Sequence, residues 1–468
     1  MTSQALAQKS AKLSSAEQPE AQVDLVRRVI SLAFGPPEGR PFAVRYWTGD
    51  HDAGDPSRRS PFTLVIRDPA ALRRALLPPS ELALGEAFVR GDLDVDGDLE
   101  SAGRLSDLLR VNLSAPGRLA SLAALILRLS GADPRPGDPS APPRARRPGW
   151  RRHTRRRDAA AIRHHYDVGN DFYQLWLDPQ TVYSCAYFPP GVRDVERAQQ
   201  AKLDYICRKL RLQPGEHLLD IGCGWGALIR HAVRHYGVEA VGITVSPAQA
   251  ELATERISDE GLEGRCRVEL RDYRELPDTE AYDKVASVGM FEHVGRTRLA
   301  EYFARVYRAL RPGGLFLNHG IIDLEDARRP SLRVRVRRRL LREGEFMRRY
   351  VFPDGELVPL ALAVAAAEAA GFETRDVENL REHYVFTLRE WVRRLEAREQ
   401  EAIALVGPAT VRTWRLYLAV SAHSFASRRI SVVQHLLAKP GPQPVVPDTR
   451  HHLYVDAHPA WTLEDRSV

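Results

Sequence analysis

Cysteine is scarce in this chain: 468 residues carry four, Cys185, Cys207, Cys223 and Cys266, with no C-x-x-C pair among them. That scarcity argues against a disulfide framework or a zinc knuckle and fits a reducing compartment. Long apolar runs are missing as well. The most apolar stretch of the N-terminal half, LASLAALILRL at Leu119–Leu129, falls short of the roughly 20 residues that span a bilayer and reads as a packed helix. The polar N-terminus shows no secretory signal, so a cytoplasmic location is expected. An H-E-x-x-H motif is also absent. His231 and His235 share a helix face without it, so they read as surface residues and no metal is expected.

What is present supports a sizeable core, since 44% of residues are hydrophobic, and 468 residues are enough for two or three domains. The net charge of +7 and a pI near 9.3 point to an anionic partner, a phospholipid surface or a nucleic acid. Arginine supplies the excess in two clusters. One, Arg144, Arg146, Arg147, Arg151, Arg152, Arg155, Arg156 and Arg157, lies in a proline-rich stretch that reads as a linker. The other, Arg328, Arg329, Arg333, Arg335, Arg337, Arg338, Arg339 and Arg342, alternates with Leu and Val, a pattern suited to lipid phosphates and equally to a solvated face.

The most informative segment is LLDIGCGWGAL, Leu218–Leu228. An apolar run ends in Asp220, then Gly222, Gly224 and Gly226 alternate before an amphipathic helical pattern, the layout of a strand that turns tightly into a helix. The glycine spacing is G-x-G-x-G, whereas a dinucleotide fingerprint is G-x-G-x-x-G. An acid in front repels a pyrophosphate and suits a zwitterionic amino-acid tail, such as the methionine end of S-adenosylmethionine (SAM).

Further strands are expected at Ala240–Ser246, at RVEL before Arg271, at Asp283–Gly289 and after the Pro-Gly-Gly turn within Ala309–Ile321, with helices between them. Alternation of this kind implies an α/β fold with a parallel sheet and a site at its carboxyl edge, in the order of a class I, Rossmann-like SAM-dependent methyltransferase. Gly242-Ile243-Thr244 stands where many such enzymes carry a ribose-binding acid, leaving Thr244 and Gln249 as hydrogen-bonding substitutes. Asp272 is expected to meet an adenine amino group while Tyr273 stacks on the base. Taken singly, each of these polar residues reads more readily as an ordinary loop residue.

Upstream, IRHHYDVGNDFYQLWLDPQTVYSCAYF at Ile162–Phe188 is dense in aromatics, which suits a lid over a sulfonium and also suits a core. At this point the chain resembles the cyclopropane-fatty-acyl-phospholipid synthases and their mycolic-acid-modifying relatives. The resemblance rests on HHYDVGNDFY, YSCAYF, LLDIGCGWG, GITVSPAQ, GMFEHVG and FMRRYVFPDGELVP, across residues 160–438. It implies methylene transfer from SAM to the cis double bond of an acyl chain, through a carbocation that loses a proton to a bound bicarbonate ion. It also implies the residues that carry this out. Cys185, Glu292, His319, Ile321 and Tyr384 match the bicarbonate site, while Tyr166, Tyr183, Ser184, Gly222, Gly224, Thr244, Gln249 and Tyr273 match the SAM site.

Ser80–Glu100 looks like the end of the smaller N-terminal lipid-interacting domain of the phospholipid-acting members. The expected layout is a disordered tail over 1–21, that domain over 22–130, the basic linker over 131–158, the catalytic domain over 159–438 and a C-terminal tail over 439–468. Leu332–Tyr350 and Trp391–Ala426 are candidate walls of an acyl tunnel. The implied partners are membrane phospholipids with unsaturated chains at the inner face of the cell membrane, and a second copy in a homodimer. No nucleic acid is expected, because the position after the fourth strand reads GMFEHVG where an N/D-P-P-Y loop would stand. A methylene- or methyl-branched product and a non-catalytic lipid-binding role stay open.

Overall fold

The computed structural model describes residues 20–77, 79–113, 115, 117–129, 168–325, 341–353, 355–441, 449–451 and 453. Tyr166, the arginines of the linker, those from Arg328 to Arg339 and most of both tails lie outside them. The chain forms two compact units that do not follow chain order: Met1–Arg146, Pro330–Val351 and Gly407–His423 make one, and Arg147–Arg329, Phe352–Val406 and Ser424–Val468 the other.

The first unit is built on a four-stranded sheet of β1 (Ala43–Arg45), β2 (His51–Asp52), β3 (Phe62–Ile66) and β4 (Leu93–Gly97), in the order β2-β1-β3-β4. The apolar FTLVI of β3 pairs antiparallel with β4, Leu64 opposite Val95. Phe42 stacks on Phe62 with ring centroids 4.9 Å apart, sealing the sheet's inner face. Helix Pro69–Leu76 starts where Asp68 accepts from the Ala71 N–H, and helix Glu81–Val89 starts where Ser80 accepts from Ala83, each satisfying an otherwise orphaned donor.

The sequence reading gave two further pieces of this unit to the catalytic half. Phe346 packs so tightly on Gly85 that a β-carbon there would lie 2.4 Å from its ring. The Arg412 guanidinium lies 4.2 Å over the Phe88 ring and donates to the Phe88 carbonyl and the Asp94 carboxylate. The candidate wall segments Leu332–Tyr350 and Trp391–Ala426 are thus each drawn wholly or partly into this unit. Residues 332–340 of the first segment lie outside the described residues, and its remainder packs around Phe346. The second is divided among helices Arg381–Ala397, Glu399–Val406 and Pro408–Ala426, with Gly407–His423 in the first unit.

The second unit holds a seven-stranded sheet: β5 (His217–Ile221), β6 (Glu239–Thr244), β7 (Cys266–Leu270), β8 (Tyr282–Val288), β9 (Leu310–Asp323), β10 (Glu373–Asn379) and β11 (Ile430–Ala438). Its order is β10-β11-β9-β8-β5-β6-β7. β5 to β9 run parallel, while β11 inserts antiparallel between β9 and β10. The central parallel strands β5 and β6 are largely buried, whereas the edge strand β7, CRVEL, is half exposed. Chain order reverses around β5, whose neighbours are β6 and β8, so a crevice opens at the carboxyl ends of these strands.

Helix Ala227–Tyr236 begins after Gly226 and ends at Gly237, both left-handed, and buries Leu228, Ile229, Ala232 and Val233 against this sheet. All four cysteines are buried free thiols. Among the described residues no helix is long and apolar enough to cross a membrane.

Candidate active site

β5 ends at Asp220-Ile221, and the chain leaves the sheet through Gly222 at φ +80° and Gly224 at φ +55°. The N–H groups of Gly222 and Cys223 both donate to the Ile243 carbonyl of β6, at 2.9 and 3.1 Å, which pins the turn across the strand ends. Gly242 permits this approach, since a β-carbon there would lie 2.7 Å from Cys223 Sγ. The turn floors a pocket that also receives Tyr183, Ser184, Thr244, Gln249, Asp272 and Tyr273. Eight of the nine residues expected to bind SAM thus line one cavity; the ninth, Tyr166, is undescribed.

Their bonding departs from expectation at two points. Thr244 and Gln249 are not independent groups, because Thr244 Oγ1 donates to Gln249 Oε1 at 2.8 Å while accepting from the Ser246 N–H. Asp272 is not an open acceptor either. Both of its oxygens are held by Arg274, at 2.8 and 2.6 Å, and Oδ1 also caps the turn by accepting from the Arg274 N–H. The Arg274 guanidinium sits 5.3 Å from the Tyr273 ring centre, so Asp272, Tyr273 and Arg274 form one locked group at the pocket wall.

The aromatic block is core more than lid. Phe172, Tyr173 and Trp176 are fully buried, with Tyr173 packed 5.5 Å from Tyr183 and 5.2 Å from Trp225, and Trp176 5.6 Å from Trp391. Of the described rings in the block only Tyr183 reaches the pocket. Trp225 of the glycine turn reaches it as well, and its Nε1 donates to Asn170 Oδ1 at 2.8 Å, tying the HHYDVGNDFY segment to the turn.

Cys185, Glu292, His319, Ile321 and Tyr384 do not line this pocket. Cys185 and Glu292 lie on segments that also supply its lining: Ser184 faces the pocket and Cys185 the interior, while Gly289, Met290 and His293 face the pocket and Glu292 turns to β9. Leu380 connects the remainder. Its carbonyl accepts from the Tyr384 N–H and lies 3.8 Å from Cys185 Sγ, and its N–H donates to Val432, the β11 partner of Ile321.

Ile321 has a narrower part than expected, because its N–H is taken up by Glu292 Oε1 at 2.7 Å. That bond orients the carboxylate, and Glu292 Oε2 is left buried with no partner. Burial pushes the Glu292 carboxyl up to about 7, against the pull of its backbone hydrogen bonds. His319 is equally enclosed. Gln434, opposite it on β11, contacts Nδ1 at 3.2 Å, Nε2 has no partner, and burial, with Lys202 and Lys209 nearby, holds the imidazole neutral with a pKa near 3. Burial also drives the Cys185 thiol well up, so it sits as a neutral thiol.

Asp220, the acid in front of the glycine turn, is buried together with Lys202, which the sequence analysis does not single out. Asp220 is pushed up to about 7 by burial, with Lys202 opposing, and Lys202 is lowered to about 8 by burial, with Asp178, Cys185 and Asp220 opposing. Both line the pocket. A lysine in the buried stripe Val195, Ala198, Gln199, Lys202, Ile206 was the signal for the second. His231 and His235, by contrast, lie ring to ring at 4.5 Å on a partly exposed helix face.

The family model described as mycolic acid cyclopropane synthetase matches residues 153–435, and a second, described as a domain of unknown function, matches 31–104. A probable fatty acid methyltransferase of Pseudomonas putida is 40% identical over 427 residues, covering 91% of this chain and 96% of that protein. The cyclopropane-fatty-acyl-phospholipid synthase of Escherichia coli strain K12 is 38% identical over 275 residues, 59% of this chain and 66% of that one. Among solved structures, mycolic acid cyclopropane synthase CmaA1 complexed with SAH and CTAB is 34% identical with a TM-score of 0.56, covering 60% of this chain and 98% of that one. The cyclopropane synthase MmaA2 of Mycobacterium tuberculosis gives the same identity, TM-score and coverage.

Proposed function

This chain belongs to the mycolic acid cyclopropane synthetase family of SAM-dependent methyltransferases, and from that premise we propose that it converts cis double bonds in membrane phospholipid acyl chains to cyclopropane rings. The observation that carries the proposal is that Glu292 Oε2 and His319 Nε2 are both buried without a partner, the glutamate being tethered to Ile321, two residues from that histidine. A neutral imidazole offers a donor and a carboxylate an acceptor, and a bicarbonate ion has the matching oxyanion and hydroxyl. The donor set therefore fits that ion. Bound there, bicarbonate supplies the base for the proton released as the ring closes.

The residues of this chain do the rest. The glycine turn and its pocket hold SAM so that its methyl group faces the acyl chain, and holding two reactants in line is worth several kcal/mol of barrier. The alkene carbon bonds to that methyl as the carbon–sulfur bond breaks, leaving a cation on the neighbouring carbon. Glu292 and His319 then keep the base oriented, and the buried aromatic wall of Tyr173, Trp176 and Trp391 keeps out water that would convert the cation to an alcohol. The second reading is a methylene- or methyl-branched product. It is favoured by the Pseudomonas putida relative, a probable fatty acid methyltransferase that matches 91% of this chain.

Transfer from methyl-labelled SAM is expected into vesicles of cis-unsaturated phospholipid and not into saturated ones. Removal of dissolved carbon dioxide is expected to lower the rate, and added bicarbonate to restore it. Equal labelling of saturated vesicles would sink the acceptor assignment, and indifference to bicarbonate would sink the base.

A further inference from the structure

The helix Val195–Lys209 sends two polar side chains out of its buried stripe towards the pocket. Gln199 Nε2 donates to the carbonyls of Val182 and Ser184, at 3.2 and 2.9 Å, and so fixes the segment that carries Tyr183 and Ser184. Lys202 Nζ donates to Ser184 Oγ at 2.9 Å. That hydroxyl is its one hydrogen-bond acceptor among the described residues, although an ammonium carries three donors. Lys202 is 2% exposed and lines the cavity.

Asp220, which lines the same cavity, is also 2% exposed, and its Oδ1 has no partner. The two charges feel each other but share no hydrogen bond. Burying opposite ions that do not pair directly is costly unless each has a partner, and both of these line the one pocket. A ligand with a cationic and an anionic group on one carbon meets both needs.

We propose that Lys202, together with Ser184, receives the α-carboxylate of the methionyl end of SAM while Asp220 takes its α-ammonium. The inference rests on the reading that this pocket binds SAM. It makes Lys202 a residue that selects the amino-acid end of the cofactor, where a purely structural lysine would only brace Ser184. Arrival of a carboxylate also stabilises the charged form of a lysine that burial holds near 8.

The test is calorimetric titration of the full chain with S-adenosylhomocysteine and with methylthioadenosine, which shares the adenosine thioether and lacks the amino-acid end. Failure of the unmodified protein to bind S-adenosylhomocysteine would sink the pocket reading itself. With that binding established, Lys202→Met is expected to weaken S-adenosylhomocysteine roughly tenfold to a hundredfold and to leave methylthioadenosine within about twofold. Equal loss of both ligands, or unchanged binding of S-adenosylhomocysteine, would overturn the assignment. Should Lys202→Met not fold, Lys202→Gln keeps a donor to Ser184 without the charge. The same selective loss is expected of it, and the same two outcomes would overturn the proposal.

Discussion

Glu292 shows how one side chain is prepared by its surroundings. One oxygen is tethered to the Ile321 N–H and the other is buried and unpartnered, so the group is oriented yet retains an open acceptor site. Its carboxyl is raised to about 7, which leaves it partly ionised near neutrality, as an acceptor must be. Glu292→Gln keeps the shape and the contact with Ile321 but removes that charge. Turnover is expected to fall by roughly a hundredfold or more, with S-adenosylhomocysteine affinity kept within about twofold. A parallel loss of affinity would place Glu292 in cofactor binding instead. The sequence alone pointed to Glu292 only through resemblance, because an isolated glutamate in GMFEHVG carries no mark of its burial. It also hid the pairing of Asp272 with Arg274, since contact between neighbours in sequence depends on a turn that forms only in the fold.

Among the elements, the glycine turn was the most legible and the outer strands the least. β5, β6 and β8 are apolar runs that form where the pattern predicts them, while β9 starts earlier, at Leu310, and takes in the Pro-Gly-Gly expected as a turn. β10 reads ETRDVEN, too polar to announce itself, and becomes a strand because β11 offers a partner edge from Asn379 to Glu373. The strands of the first sheet are as short as two residues, below the reach of any periodicity. Within the turn, Gly224 separates backbone need from ligand need. At φ +55° an alanine costs about 1 kcal/mol, and its β-carbon meets no protein atom within 4 Å. Gly224→Ala is therefore expected to fold with a slightly lowered melting temperature while binding S-adenosylhomocysteine at least roughly tenfold more weakly, because the added methyl occupies ligand space. Undiminished binding would show that the ligand does not approach this turn.

For the whole molecule, buried titratable groups couple stability to pH with opposing signs. His435 on β11 is held near 4 and His319 near 3 by burial, so the native state keeps both neutral while the unfolded chain takes up protons below about 6.5. Their contribution is complete above about 6.5 and is lost as the pH falls towards the native values. Glu292 and Asp220 act the other way: their raised values near 7 favour the native state at low pH, and that advantage is lost as the pH rises through about 7. His435→Gln isolates the first effect. The stability difference between the unmodified protein and this variant is expected to shrink as the pH falls from about 6.5 to about 4, at up to about 1.4 kcal/mol per pH unit in chemical denaturation. A pH-independent difference would mean that His435 is protonated alike in both states.

The division of the chain was harder to read than its chemistry. Phe346 and Arg412 lie far along the sequence from Gly85 and Phe88, and only the fold shows that they complete the first unit. Such contacts leave no local pattern. The site was more legible because the glycine turn and the segments beside it carry their chemistry in short order along the chain. The most direct test of the whole account is mass spectrometry of the fatty acids after purified protein has acted on vesicles of cis-unsaturated phospholipid with SAM. The account predicts a gain of one CH2 per modified chain in a product that resists mild hydrogenation. The same gain in a product that hydrogenation consumes would contradict the cyclopropane assignment and establish a methylene-branched or methylated alkene instead.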